Sequence, residues 1–153
     1  MQQMLLIVGK WIAGIYLVQA VIWDIRKKMV PIILIRLTFA AAILLQVAAA
    51  GLAWKESAFG LRELCFSALP GGILLLIGYC TKEAVGYADG WSVLLLGLFV
   101  GGKAALCITM FAFLLSAVYA LWLVVGKRQD KTARFAFLPH ISAGFIMWLM
   151  AAG

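Results

Sequence analysis

Acidic side chains are scarce in this chain: Asp and Glu together number 6 in 153 residues, against 13 Lys and Arg. Charged residues of every kind make up only 12%, while 66% are hydrophobic and the mean hydropathy is +1.09. Soluble globular domains carry roughly 45–50% apolar and about 25% charged residues, so a water-soluble fold is excluded on composition. Histidine occurs once, and Cys65, Cys80 and Cys107 are widely spaced with no C-x-x-C pair. A structural zinc site takes about four such ligands, so no metal site is expected. A disulfide between Cys65 and Cys107 is conceivable, but thiols packed as small apolar residues are the expected state. There is no long linker, low-complexity tract or short repeat, and residues 1–153 read as a single domain. Before the first apolar run there is neither a basic stretch nor a small-x-small cleavage pattern. That run is expected to be a retained first span.

What is present is apolar sequence in long runs. Charges and Gly/Pro punctuation divide it into six candidate helices over residues 4–23, 31–53, 60–80, 88–102, 103–126 and 135–152. Most approach the roughly 20 residues that cross about 30 Å of hydrocarbon. The expected fold is therefore all-α: a polytopic membrane protein with six transmembrane helices. The net charge of +7 invites a nucleic-acid reading, but the cations lie in short loops between apolar runs. They fit topology and anionic lipid headgroups better, and no nucleic-acid partner is expected. Arg26, Lys27, Lys28, Arg36, Lys82, Lys127, Arg128, Lys131 and Arg134 fall on one side, against Lys55, Arg62 and Lys103 on the other, nine against three. The first group is expected to be cytoplasmic, which leaves both termini outside and sets Asp24 and Asp89 on the cytoplasmic side. Lys10 is about 21 Å up the first helix from Asp24, where its amine can snorkel to the far headgroups. The fourth run is short, about 24 Å of helix from Tyr87 to Gly102, which would submerge its inner end and Asp89 with it; a thinned bilayer or a shared helix–helix corner would also account for the shortage. Pro70-Gly71-Gly72 is expected to kink the third helix. Gly86-x-x-x-Gly90 and Gly97-x-x-x-Gly101 offer small faces for close helix approach.

A carboxylate at the centre of a membrane helix costs about 2.5–3.5 kcal/mol on insertion scales, so an acid there tends to persist for a reason. Two acids qualify. Asp24 sits at the end of the first apolar run, in Trp23-Asp24-Ile25-Arg26-Lys27-Lys28-Met29-Val30-Pro31; Asp89 sits in Gly86-Tyr87-Ala88-Asp89-Gly90. Each alone reads as an interfacial or loop acid. Convergence of the two on one side points to paired-carboxylate chemistry.

Asp24 followed by Pro31 resembles the D-x₅₋₆-I/V-P motif of type IV prepilin peptidases and preflagellin peptidases, and Gly86-Tyr87-Ala88-Asp89 resembles their G-x-G-D motif. Phe137-Leu138-Pro139-His140-Ile141-Ser142-Ala143-Gly144 resembles the P-F-x-P-x-x-x-x-G stretch that opens their last helix. The three occur in the family's order and cover nearly the whole chain. Ala88 stands where the family has the second glycine, Ala136 where it has the first proline, and His140 where it tends to an apolar or aromatic residue. Alanine suits an ordinary backbone conformation at position 88 and would be strained at positive φ. The N-terminal C-x-x-C segment of the longer family members is not in this sequence, so the resemblance is to the short, peptidase-only form, such as those serving Flp-type pili.

The resemblance implies an intramembrane aspartyl endopeptidase with Asp24 and Asp89 as its catalytic pair. Pro31, Gly86, Ala88, Gly90, Pro139 and Gly144 are then motif or positioning residues, and no cofactor or metal is implied. Two facing carboxylates cannot both ionise cheaply, so such a pair holds one proton and acts as a unit. The implied substrate is a prepilin or pilin-like protein with a short basic leader before an apolar helix, met at the cytoplasmic (inner) membrane of a bacterium. Two other readings stand beside this one. A catalytically silent relative would bind pilin-like helices; a small ion or solute transporter would use Asp24 and Asp89 as cation sites. Proximity of the acids favours the peptidase, whereas a continuous polar path across the spans favours transport.

Overall fold

In hydrocarbon every backbone N–H and C=O must be satisfied within the chain, and apolar runs of this length meet that demand as helices. The computed structural model describes residues 2–27, 29–52, 61–81, 86–126 and 137–152. They form α1 (Gln2–Lys27), α2 (Ile32–Leu52), α3 (Leu61–Cys80), α4 (Tyr87–Val100), α5 (Gly102–Val125) and α6 (Leu138–Ala152). The fold is all-helical, as expected. Four helices are long and apolar enough to cross a membrane, over Leu6–Lys27, Ile32–Ala49, Glu63–Cys80 and Gly102–Leu123, while α4 and α6 are shorter. The loop positions Lys28, Lys55, Lys82, Lys127, Arg128, Lys131 and Arg134 and the motif position Ala136 lie outside the described residues.

One boundary differs from the sequence reading in a way that matters. Helix α1 continues a turn past residue 23 to Lys27, so Asp24 lies inside the helix instead of ending it. Nothing between Trp23 and Lys27 breaks a helix, and Arg26 and Lys27 suit the negative end of its dipole. Helix α3 runs unbroken through Pro70. The proline lacks the N–H that would bond the Phe66 carbonyl, and Gly102 of α5 packs against that carbonyl: a Cβ there would lie 2.6 Å from it.

Helix α4 is the hub and packs against all five other helices. Its buried residues are Gly90, Ser92, Val93, Leu95, Leu96, Gly97, Leu98 and Phe99. At 14 residues it is about 21 Å long, and enclosure by protein frees it from matching the bilayer thickness. Lipid offers no hydrophobic drive for helix association, so close packing and polar contacts must hold α4 in place. Glycines provide the close packing. A side chain on Gly71 would collide with the Leu94 backbone, one on Gly97 with the Ser67 backbone, and one on Gly90 with Leu75 at 2.8 Å. The amide of Gln46 on α2 adds a polar tie by donating to the Leu98 carbonyl. Gly101 turns the chain directly from α4 into α5 at φ 87°, a left-handed conformation that glycine adopts without strain.

The contact pairs fix helix directions. Gly9 meets Phe99 and Tyr16 meets Ser92, so α1 runs antiparallel to α4. Phe39 meets Trp91 and Gln46 meets Leu98, so α2 runs parallel to α4. Lys10 lies 5.1 Å over the ring of Trp148, which places the start of α1 beside the end of α6. At the other end of α1, Lys27 lies 4.5 Å over Trp23. These two cation–aromatic pairs are about 25 Å apart along the helix, a spacing suited to the two interfaces of a bilayer.

The outside of the bundle is apolar, with Trp11 71%, Leu44 70% and Leu114 63% exposed, the reverse of a water-soluble surface. Cys65, Cys80 and Cys107 are free thiols on that surface, so Cys65 and Cys107 form no disulfide.

Candidate functional site: two carboxylates at one end of the bundle

The inward face of α1 is set by spacing. Ala13, Tyr16, Leu17 and Ala20 are buried, and Asp24 follows Ala20 by four residues, which continues the same stripe. On α4, Asp89, Ser92, Leu96 and Phe99 recur at helical spacing; Ser92 and Phe99 meet α1. Both acids thus belong to the α1–α4 interface. The pairings of Gly9 with Phe99 and of Tyr16 with Ser92 define one antiparallel register. Continued, it sets Asp24 about 7.5 Å farther than Asp89 toward that end of the bundle. Helical side chains lean toward their own N-terminus, so in antiparallel helices Asp24 leans inward and Asp89 leans outward. Each closes part of the gap. The structure brings the two carboxylates within electrostatic reach of each other. Oδ2 of Asp24 is buried and has no hydrogen-bond partner among the described residues.

Local structure around Asp89 explains its neighbours. Gly86 is the N-cap of α4 with ordinary extended angles, φ −61° and ψ 132°. What it supplies is space: a Cβ there would lie 3.0 Å from Oδ2 of Asp89, whose carboxylate folds back over the cap. The Asp89 N–H donates to the Gly86 carbonyl at 3.0 Å and starts the helix. Ala88 is an ordinary helical residue, half-buried, so its methyl meets no backbone strain. Gly90 lets Leu75 of α3 close in behind the acid.

The remaining motif residues are placed elsewhere. Pro31 precedes α2, and its carbonyl accepts from the Leu34 N–H at 3.0 Å, so it begins that helix and fixes the turn after Asp24. Pro139 lies in the first turn of α6. Gly144 is buried where α6 crosses α5, and a Cβ on it would lie 2.7 Å from the Ile108 carbonyl. These two seat α6 on α5 and are not brought to the carboxylates. His140 stacks near Tyr119, ring centroids 5.7 Å apart, also on the α5–α6 side.

Two polar residues that the sequence reading passed over lie just below the acids. Tyr16 and Ser92, 2% and 0% exposed, are hydrogen-bonded at 2.8 Å. Ser92 Oγ–H also donates to the Ala88 carbonyl at 2.7 Å. Its single proton is used there, so the Tyr16 hydroxyl is the donor to Ser92. Asp89 acts electrostatically on Tyr16 as well. Their signal in the sequence was spacing: Ser92 follows Asp89 by three residues, and Tyr16 lies on the stripe that ends in Asp24. Deeper still, the interface is Ala13, Leu17, Leu96 and Phe99, all buried and apolar.

Beside the acids a groove of about 600 Å³ separates α2 from α4, lined by Val30, Ile35, Arg36, Phe39, Ala88 and Trp91 among others. In the parallel register of α2 and α4, Arg36 lies level with Ala88. No group of three or more His, Cys, Asp or Glu gathers among the described residues. The chemistry available is that of two carboxylates that approach each other, a hydroxyl pair beneath them, and an apolar groove alongside. Comparison of the chain with family models, curated proteins and solved structures returns no match.

Proposed function

We propose that this chain is a membrane-embedded aspartyl endopeptidase that removes the basic leader from prepilin-like substrates at the cytoplasmic membrane face. The observation that carries the reading is the convergence of Asp24 and Asp89, from α1 and α4, on one end of the bundle. The order of the three motifs and their resemblance to type IV prepilin peptidases supply the substrate class. The Lys/Arg asymmetry supplies the orientation, with six spans, both termini outside and the acids on the cytoplasmic side. Anionic lipid headgroups are the surface the basic loops would meet.

In this reading the dyad holds one proton. A water between the carboxyls attacks the scissile carbonyl carbon and gives its proton to the ionised member. The protonated member donates to the carbonyl oxygen and stabilises the developing negative charge. Collapse of the tetrahedral intermediate breaks the C–N bond, and the proton taken from water passes to the leaving amine. Both carboxyls return to their starting state. The α2–α4 groove supports the same reading, because it offers an apolar substrate segment a lateral route from lipid to Ala88, the residue before Asp89. The helical backbone at Ala88 removes the reason to expect an inactive relative. The apolar layer of Leu17, Leu96 and Phe99 under the hydroxyl pair runs against transport, which needs polar groups all the way across.

The test is leader cleavage. The chain is co-expressed with candidate prepilins, and the products are resolved by size, for the parent, Asp24→Asn and Asp89→Asn. Loss of at least about 100-fold in each single variant is expected, the usual worth of a positioned acid or base. Cleavage that survives either substitution rejects the dyad. An inactive parent, with a family enzyme cleaving the same substrates, rejects the peptidase assignment.

A further inference from the structure

We propose that Tyr16 and Ser92 are positioning residues, a polar latch that sets the register of α1 on α4 and so aligns Asp24 with Asp89. The catalytic consequence rests on the peptidase reading; the alignment does not. Near the acids the α1–α4 interface is otherwise made of Ala13, Leu17, Ala20, Val93 and Leu96, small and aliphatic surfaces that specify register weakly, while at the far end Gly9 seats against the Phe99 carbonyl. A slip of one helical turn, about 5.4 Å, would pack similar residues against similar residues next to the acids, and of the packing contacts only the Gly9 seat at the far end would oppose it. It would also carry Asp24 away from Asp89. The hydroxyl pair forbids that slip. Tyr16 is only 2% exposed, so away from Ser92 its hydroxyl has neither water nor another described partner to turn to. Ser92 cannot turn away either, because its own proton is held by the Ala88 carbonyl. That carbonyl belongs to the peptide group whose nitrogen is the Asp89 amide. The latch therefore ties α1 directly to the backbone that carries the second acid, one turn from its side chain.

The direction of the chain of hydroxyls adds specificity. Tyr16 donates, Ser92 accepts and donates onward, and Ala88 accepts. Ser92→Ala removes the acceptor and Tyr16→Phe removes the donor. The two changes break one link, so the double variant is expected to be no worse than the more affected single one.

Cross-linking in the full chain tests the alignment without calling on activity. In a background lacking Cys65, Cys80 and Cys107, the pair Asp24→Cys/Asp89→Cys is joined with a short bifunctional thiol reagent in native membranes. The pair Phe39→Cys/Trp91→Cys reports α2–α4 packing as a control. With Tyr16→Phe the 24–89 cross-linking rate is expected to fall roughly three- to twenty-fold, the range measured for hydrogen bonds between membrane helices. The 39–91 rate is expected to stay unchanged. An unchanged 24–89 rate overturns the latch, as does an equal fall in both pairs, which would mark Tyr16 as a general packing residue. In the chain that keeps both acids, Tyr16→Phe is expected to lower kcat for leader cleavage with KM unaltered. Loss of cross-linking together with absence of cleavage by every variant, parent included, keeps the latch and rejects the peptidase.

Discussion

Two adjacent glycines in α3 carry opposite expectations, and together they test whether close α3–α4 packing holds the hub helix. A Cβ on Gly71 would land in the backbone of Leu94, which cannot move aside as a side-chain tip can. Gly71→Ala must push α3 and α4 apart, and overpacking of this kind costs about 1–3 kcal/mol. A Cβ on Gly72 meets nothing within 4 Å. Gly72→Ala adds only helix propensity, a gain of up to about 1 kcal/mol. The two variants should therefore differ by roughly 1–4 kcal/mol, or about 2–16 °C in unfolding midpoint for a chain of this size. The measurement is thermal unfolding of the purified protein in mild detergent, followed by intrinsic fluorescence, since the chain has 6 Trp. Gly71→Ala should also lower leader cleavage, because displaced α4 carries Asp89 with it. Equal midpoints for the two variants, or the reverse order, would refute the packing argument.

Other expectations are more local. Ala88→Gly should restore the family's motif yet lower stability by about 0.5–1 kcal/mol, because position 88 is helical; a large rise in cleavage would contradict the ordinary backbone seen there. Leader cleavage should follow a bell-shaped pH profile. Below the lower limb both carboxyls are protonated and no base remains; above the upper limb both are ionised and no donor remains. A profile that keeps rising at high pH would leave the protonated member without a role. Cys80 ends α3 at the dyad end, and Cys65 lies about 22 Å away on the same helix. In single-cysteine variants an impermeant thiol reagent should reach Cys80 from the cytoplasmic face alone, and Cys65 should not share that sidedness. The opposite result would invert the proposed orientation.

Much of this arrangement is written in one dimension. Long apolar runs broken by short basic loops can only be satisfied in lipid as helices, so the all-helical fold and the order of its helices follow from the chain itself. The rarity of acids isolates Asp24 and Asp89, since a buried carboxylate is costly enough to be noticed wherever it persists. Spacing even orients them: Asp24 extends the stripe of Ala13, Leu17 and Ala20, and Asp89 starts the stripe of Ser92, Leu96 and Phe99.

Three things were decided only by tertiary structure. The shortness of α4 is ambiguous in sequence between a thinned bilayer and a submerged end. The helix packs against all five others, most closely against α3 through Gly71, Gly90 and Gly97, so protein surrounds most of it. The facing of Asp24 toward α4 follows from the antiparallel seating of α1 on that helix, a long-range contact that the stripe on α1 alone does not name. The link between Tyr16 and Ser92 spans 76 positions in sequence, and no local pattern marks either residue as the other's partner. Apolar periodicity tells a helix which way to face, but it repeats every turn and so leaves register open. The Tyr16–Ser92 hydrogen bond and the seat of Gly9 on the Phe99 carbonyl do not repeat, and that is why the alignment of the two acids belongs to the fold and not to the sequence pattern.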